Sequence, residues 1–487
     1  MSMEVEKIIL YVIIISCGVC LGDLLEEQQT QFEAEDDRSV KGNSSSMDGN
    51  KECLVNLQLN FSNMGLRKIF DGFISSTGLT HLDLADNEIA EGSFETFEKL
   101  PNLKYLNLAG NKLNLATFLE SGVHENLDTL ILDRMQSLQT PNYHYYNYKA
   151  DPTHFNTFKI GTKLPRLSHL HLQDLQLGSI SSPNWAQILP SLTHLYFSGN
   201  NLKHSVNQFL LEIPSSVRHL YIERSEIESI DLKYHEQLIF GSKVDSLITL
   251  SLDENKINCL GSITRSSMYY HTYHHLQENC HMTDISQFKD LEFLSISNNE
   301  IFRLFDNAFE KITKLVSLNL SKNKITDISD TIYKNMYNLE LLDLSDNQLE
   351  KVSGVCELNN LRNLNLDRNL INVVNSEYIC SSDSLKSLSL SGNGIETIPA
   401  DTFNKLTNLL ELNLSDNKLA VFDCQSTTLK NLLLSGNKFQ TMENILLANQ
   451  TFLHLLDIRN NSVNELKPFL MQFFIEERIV NVQRLKF

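Results

Sequence analysis

One spacing constrains this chain more than any other feature. From about residue 52 the pattern L-x-x-L-x-L-x-x-N-x-L recurs, most cleanly in "LVSLNLSKNKI" (315–325), "LELLDLSDNQL" (339–349) and "LLELNLSDNKL" (409–419). Sixteen units can be counted, opening at Leu54, Leu79, Leu103, Leu127, Leu167, Leu192, Val217, Leu247, Leu291, Leu315, Leu339, Leu361, Leu385, Leu409, Leu429 and Leu453. Most intervals are 24 or 25 residues. A unit that short cannot bury its own apolar face, so neighbours must stack into one extended array rather than several globules.

The residue types explain the geometry of each unit. Alternation over L-x-L predicts a short strand whose leucines enter the core while the intervening residues face solvent. The Asn position bends the chain out of the strand, where its amide can satisfy backbone groups that would otherwise be buried unpaired. Asn holds it in twelve units, from Asn87 to Asn461, while Ser62, Met135, Leu175 and Ser225 depart from the pattern. Phe97, Phe309, Tyr333 and Phe403 recur at a fixed register and predict a second buried row behind the sheet. The repeat is identified as a leucine-rich repeat. The expected fold is α/β: a leucine-rich repeat solenoid, a curved horseshoe with a parallel concave β-sheet of about sixteen repeats.

Outside the repeats, "MSMEVEKIILYVIIISCGVCLG" has an apolar core at Ile8–Ile15 and reads as a signal peptide over 1–22. Residues 23–50 form an acidic, polar leader expected to be disordered, 51–464 the solenoid, and 465–487 a C-terminal cap. No later run is long and apolar enough for a membrane helix, so the expected location is secreted and extracellular. The formal charge of −19 becomes −18 once Glu4, Glu6 and Lys7 leave with the signal, which disfavours nucleic acid as a partner. Two long intervals interrupt the array, with insertions near 136–163 and 258–290 that predict projecting loops.

Of eight Cys, Cys17 and Cys20 belong to the signal segment. Cys259 and Cys280 bracket the second insertion and are expected to staple it. Cys356 and Cys380 each precede the opening Leu of adjacent units by five residues, a separation of about 5 Å that suits a disulfide. Cys53 and Cys424 are left over, each either a buried or free reduced thiol or the site of an intermolecular bridge and hence a disulfide-linked dimer. Asn43, Asn60, Asn319, Asn413, Asn449 and Asn460 stand in N-x-S/T sequons and are candidate glycosylation sites.

The open face of the sheet can be read without coordinates. His169, His194 and His219 are spaced 25 residues apart and should lie on adjacent strands about 5 Å from one another. With Tyr105, His171, Tyr196 and Tyr221 they form the candidate ligand-binding surface, because amphipathic rings on a rigid sheet bury area at small entropic cost. Three imidazoles with Glu223 or Asp253 nearby could instead share a zinc ion, although an open sheet rarely converges three ligands on one point. Further along, Asp343, Asp367, Glu411 and Asp457 make the face acidic, which favours a basic partner or a wet surface. No nucleophile elbow, phosphate-binding Gly loop or H-E-x-x-H helix occurs, so neither an enzyme nor a cofactor is expected.

Over residues 52–464 these repeats resemble the extracellular leucine-rich repeat family, Toll-like receptor ectodomains among them. The unit "LAVFDCQSTTLKNLLLSGNKF" and the segment "LKPFLMQFFIEERIVNVQRLKF" resemble the secreted leucine-rich immune proteins of mosquitoes. That resemblance implies an innate-immune role through protein partners, including complement-like factors. The functional expectation is a secreted recognition protein that binds extracellular protein or surface glycan on its concave face, in innate immunity. The alternatives are a structural or adhesion protein assembling with other chains and a His-dependent metal-binding protein.

Overall fold

The computed structural model describes residues 56–136, 157–158, 160–180, 185–232, 243–262, 280–351, 355–375, 379, 382–424, 428–447 and 453–464. They form a sixteen-stranded parallel sheet in chain order, from Leu57–Asn60 to Leu455–Asp457, one strand per unit. Register is set by the central leucines, so that Leu170, Leu195, Leu220 and Leu250 pair in a row. The central leucines enter the core, as Leu195 and Leu220 do at 0% exposure. Behind the sheet, Phe97, Phe309, Tyr333 and Phe403 are buried in the second row.

The Asn position binds consecutive coils together. Asn200 Nδ2 donates to the carbonyls of Leu172 and Phe197, each at 2.8 Å, and its Oδ1 accepts from the N–H groups of Leu175 and Leu177 at 3.2 and 3.0 Å. One amide thereby satisfies backbone groups of two coils at once. Where Ser225 replaces Asn, its hydroxyl donates to the Glu223 carbonyl and its own carbonyl accepts from Leu202 N–H. The residue before the Asn position is left-handed in coil after coil, for example Asp86 at φ 53°, Gly199 at φ 72° and Arg224 at φ 47°. At Gly199 the missing Cβ also matters, because one would lie 1.8 Å from Asp174 Oδ1. Arg224 reaches across that glycine to Asp174 at 3.6 Å.

Three boundaries differ from the sequence reading. The first unit is offset by two residues: Leu59 pairs with Leu82 and Asn60 with Asp83, and left-handed Asn63 matches Asp86, so Met64 rather than Ser62 takes the Asn position. A two-residue offset preserves which side chains face the core, which is why the hydrophobic pattern did not betray it. The first insertion is shorter than 136–163, because Ile160 and Leu164 are core residues and Gly161 N–H bonds the Leu119 carbonyl. The second is shorter than 258–290. Cys259–Leu260 and Met282–Thr283 pair with each other in a three-stranded sheet completed by Arg303–Leu304, and Phe288 is fully buried.

Cys259 and Cys280 are joined by a disulfide with Cα atoms 5.7 Å apart. Cys356 is also disulfide-bonded, while Cys380 and Cys53 lie outside the described residues, as do residues 1–55 and 465–487. Of the two readings for Cys424 the structure favours burial over a bridge: it is 1% exposed within the Phe422–Cys424 strand, which pairs with Ile445–Leu447.

Candidate functional site

Three strands, His169–His171, His194–Tyr196 and His219–Tyr221, present two parallel columns of rings on the open face. Each strand is too short to twist its neighbours out of register, so equivalent side chains align. His169 stacks on His194 and His194 on His219, both with centroids 4.1 Å apart and planes 14° from parallel. In the second column His171 stacks on Tyr196 at 3.9 Å and Tyr196 on Tyr221 at 4.7 Å. All six rings are half-buried. The inner rings therefore hide their faces against one another and offer solvent only their edges.

A neighbouring hydroxyl selects the tautomer of one imidazole. Ser168 Oγ donates to Asp128 Oδ1 at 2.6 Å, so its contact with His169 Nδ1, also 2.6 Å, requires the imidazole N–H to donate. In that tautomer His169 Nε2 is an acceptor at the outer edge, with no hydrogen-bond partner among the described residues. Thr193 Oγ1 lies 2.9 Å from His194 Nδ1 and 3.2 Å from the Ser168 carbonyl, so either of its bonds orients the His194 ring. His219 Nδ1 contacts Thr249 Oγ1 at 2.9 Å. His124 shows the contrasting, structural use: it is 3% exposed, with Nε2 bonded to the Leu100 carbonyl.

Burial governs the charge state. His194 is pushed down to about 4, first by desolvation and then by repulsion from His169 and His219. His171 falls to about 4 for the same leading reason, with His169 and His194 adding to it. His219 is also lowered, by burial first. His171 and His194 are thus neutral at pH 7, well away from the ordinary value of about 6.5. Asp133, pushed up to about 6 by burial, lies 4.0 Å from His171 Nδ1, beyond hydrogen-bonding range. Burial also raises Tyr105, Tyr196 and Tyr221, which keeps their hydroxyls protonated.

The geometry does not gather every candidate. Tyr105 stacks at 5.6 Å on His81 instead, and the Thr129–Ile131 strand, without an aromatic side chain, separates that pair from the ladder. The sequence pattern already placed His81 on the open face, and periodic reading of that column would have found the pair. Two exposed apolar side chains, Phe293 and Leu341, each 43% exposed, were missed although they occupy the same column in "LEFLSI" and "LELLDL". No group of three His, Cys, Asp or Glu arranged for a metal exists among the described residues. Parallel rings are the cause: their in-plane lone pairs run side by side and cannot converge on one ion.

Comparison with known proteins agrees with this architecture. A family model described as "Leucine rich repeat" matches residues 53–113, 313–371 and 383–426. Those segments carry leucine-rich repeats, and the sixteen-stranded parallel sheet has the matching solenoid fold. Bovine lumican (Bos taurus) is 29% identical to this leucine-rich repeat protein over 207 residues, 42% of this chain and 53% of lumican. Human lumican is 29% identical over 208 residues, and the chain spans about half the length of the curated relatives it matches. Among solved structures, a leucine-rich repeat protein of Leptospira interrogans superposes with a TM-score of 0.52 at 19% identity, covering 86% of this chain and 93% of that one. A chain of the Toll–Spatzle complex of Drosophila gives 0.54 at 17% identity, covering 84% and 54% respectively. At such identities these two matches speak for fold alone.

The sequons of this leucine-rich repeat protein fall into two settings. Asn60 and Asn460 are exposed, whereas Asn319 and Asn413 are half-buried on sheet strands, and Asn43 and Asn449 lie outside the described residues.

Proposed function

We propose that this is a secreted, non-enzymatic recognition protein that binds an extracellular protein across the ladder formed by His169, His194, His219, His171, Tyr196 and Tyr221. One observation carries the reading: two in-register columns of stacked rings with hydrogen-bonding edges, preorganised on a rigid sheet. A surface already ordered before contact loses little entropy on binding. The Cys259–Cys280 disulfide supports an oxidising compartment, and hence secretion together with the apolar segment Ile8–Ile15.

Protein is favoured over glycan because sugars use exposed aromatic faces, and here the inner faces are covered by neighbouring rings. Glycosylation at Asn319 would place a bulky chain three strands beyond His219, about 14 Å along the sheet, and would confine the partner to the N-terminal half. An innate-immune setting is part of the proposal. It draws on the resemblance to secreted immune repeats and on a shared fold with a complex described as a hub in Drosophila development and innate immunity.

The test is the triple variant His169→Ser, His194→Ser, His219→Ser, compared with wild type in affinity purification from extracellular fluid with quantitative mass spectrometry. Proteins captured by wild type should disappear from the folded variant. Undiminished capture of every partner would refute the ladder as the binding surface.

A further inference from the structure

On each strand, three positions alternate with the core residues on the open-face side: those before and after the central leucine, and the one two further on. Across sixteen strands these positions contain a single cation, Arg459. It is already engaged by Asp457, with bonds of 2.8 and 2.5 Å. The same positions hold Asp83, Asp133, Glu223, Asp253, Asp343 and Asp367, among other acids. Three of these, Asp133, Glu223 and Asp253, flank the ladder, and Asp128 supports His169 from its other side through Ser168.

Two of the nearby arginines are offset by acids, Arg134 by Asp86 at 3.2 Å and Arg224 by Asp174 at 3.6 Å. Arg218 donates to the carbonyls of Ser215 and Val217 and keeps its charge, one cation against the several acids around the ladder. Between the flanking acids, His169 offers an Nε2 acceptor whose Nδ1 proton is committed to Ser168, and His194 presents its ring edge beside it. A ligand matching this surface must bring N–H donors and positive charge, and must approach ring edges rather than faces.

We infer that the ladder recognises an arginine- or lysine-rich segment of its protein partner, with side-chain N–H groups donated to the imidazole Nε2 row and cationic charge balanced by Asp133, Glu223 and Asp253. This rests on the proposed binding role of the ladder and names the partner's chemistry. Guanidinium fits best, since it carries five donors and is only weakly hydrated, so it surrenders little solvation on leaving water. The neutral state of His194 and His171 at pH 7 removes the repulsion that imidazolium would exert on such a segment.

The experiment uses the full chain and a fluorescently labelled nona-arginine peptide, read by anisotropy at pH 7.4 and 150 mM salt. A nona-glutamate peptide serves as the charge control. Wild type should bind the arginine peptide and not the glutamate peptide, and the triple His→Ser variant should lose at least tenfold in affinity. Its charge at pH 7.4 is close to that of wild type, so nonspecific attraction persists and the loss reports the acceptors. Glu223→Gln retains an acceptor for Ser251 and should weaken binding several-fold without the risk of unfolding. Equal affinity of wild type and both variants would overturn the inference, as would the absence of arginine-peptide binding by wild type. In the latter case, loss of protein capture by the triple variant would leave the ladder standing as a binding surface and refute only the basic partner.

Discussion

Asn323→Ala tests what holds one coil to the next. Asn323 Nδ2 donates to the carbonyls of Ile296, Leu320 and Ser321 at 2.9, 3.0 and 3.1 Å, and Oδ1 accepts from Ile301 N–H at 3.0 Å. Not all four bonds matter equally. The Leu320 carbonyl also accepts from Asn347 and the Ser321 carbonyl from Asn298 N–H, so both stay satisfied after truncation. The Ile296 carbonyl and Ile301 N–H have no such second partner among the described residues. Leaving a buried polar group unpaired costs about 1–3 kcal/mol, so the two together predict a loss of about 4 kcal/mol. Because stability in a repeat array is nearly a sum over neighbours, the damage should be local and should loosen the coil boundary between Ile296 and Asn323. Urea unfolding followed by circular dichroism gives the global effect, and hydrogen exchange of the Ile301 amide gives the local one. Lys324→Ala is the control: its pair with Glu300 is half-exposed on both sides and should be worth at most about 1 kcal/mol. A loss below about 1 kcal/mol for Asn323→Ala, with Ile301 still protected, would refute the reasoning.

Three further outcomes follow from individual residues. Histidine NMR titration should place His194 near pH 4, because burial, His169 and His219 outweigh the opposing pull of Asp128. A midpoint near 6.5 would mean the ring is solvated and the stack open. The unfolded chain takes up these protons between about pH 6.5 and 4 while the folded chain does not, so His194 and His171 remove stability as pH falls through that window. Asp133, raised to about 6, acts in the opposite sense, and single-ring titrations are therefore the decisive readout. Tyr333→Phe should be neutral or stabilising by up to about 1 kcal/mol, since its buried hydroxyl has no partner among the described residues and Phe309 serves at the same register. A thermal-melt loss above about 1 kcal/mol would reveal a hydrogen bond to that hydroxyl. Gly199→Ala should cost about 1 kcal/mol for a left-handed non-glycine residue, plus displacement of Asp174. Gly65→Ala, at φ 71° with open space around it, isolates the backbone part, and equal costs at both sites would discount the Asp174 clash.

Much of the site was legible because a repeat converts sequence spacing into spatial adjacency. His169, His194 and His219 could be placed on neighbouring strands from their 25-residue intervals alone, and the structure pairs them directly. The same logic applied to Phe293 and Leu341, which occupy the column but break its composition, so a reading guided by residue type passed over them; His81 shares the residue type but is separated from the ladder by two strands and lies beside Tyr105. The insertion boundaries were harder. Ile160 and Phe288 are recognisable as core only once Leu119 and the Arg303–Leu304 strand are seen beside them. The two-residue offset of the first unit was invisible for a different reason, since period-two alternation is unchanged by it.

By itself the sequence determined the solenoid, its strand count, the identity of its core and the order of side chains along the open face. Those follow from periodicity and stacking, which are local rules applied repeatedly. Only the tertiary structure decided the ring orientation, the tautomer of His169, the depressed basicity of His194 and the enclosure of Cys424. Each of these depends on the distance and direction between atoms packed beside one another, to which a one-dimensional pattern is blind. That the imidazoles stack within 14° of parallel, edges outward, is set by packing between strands and not by the presence of histidine.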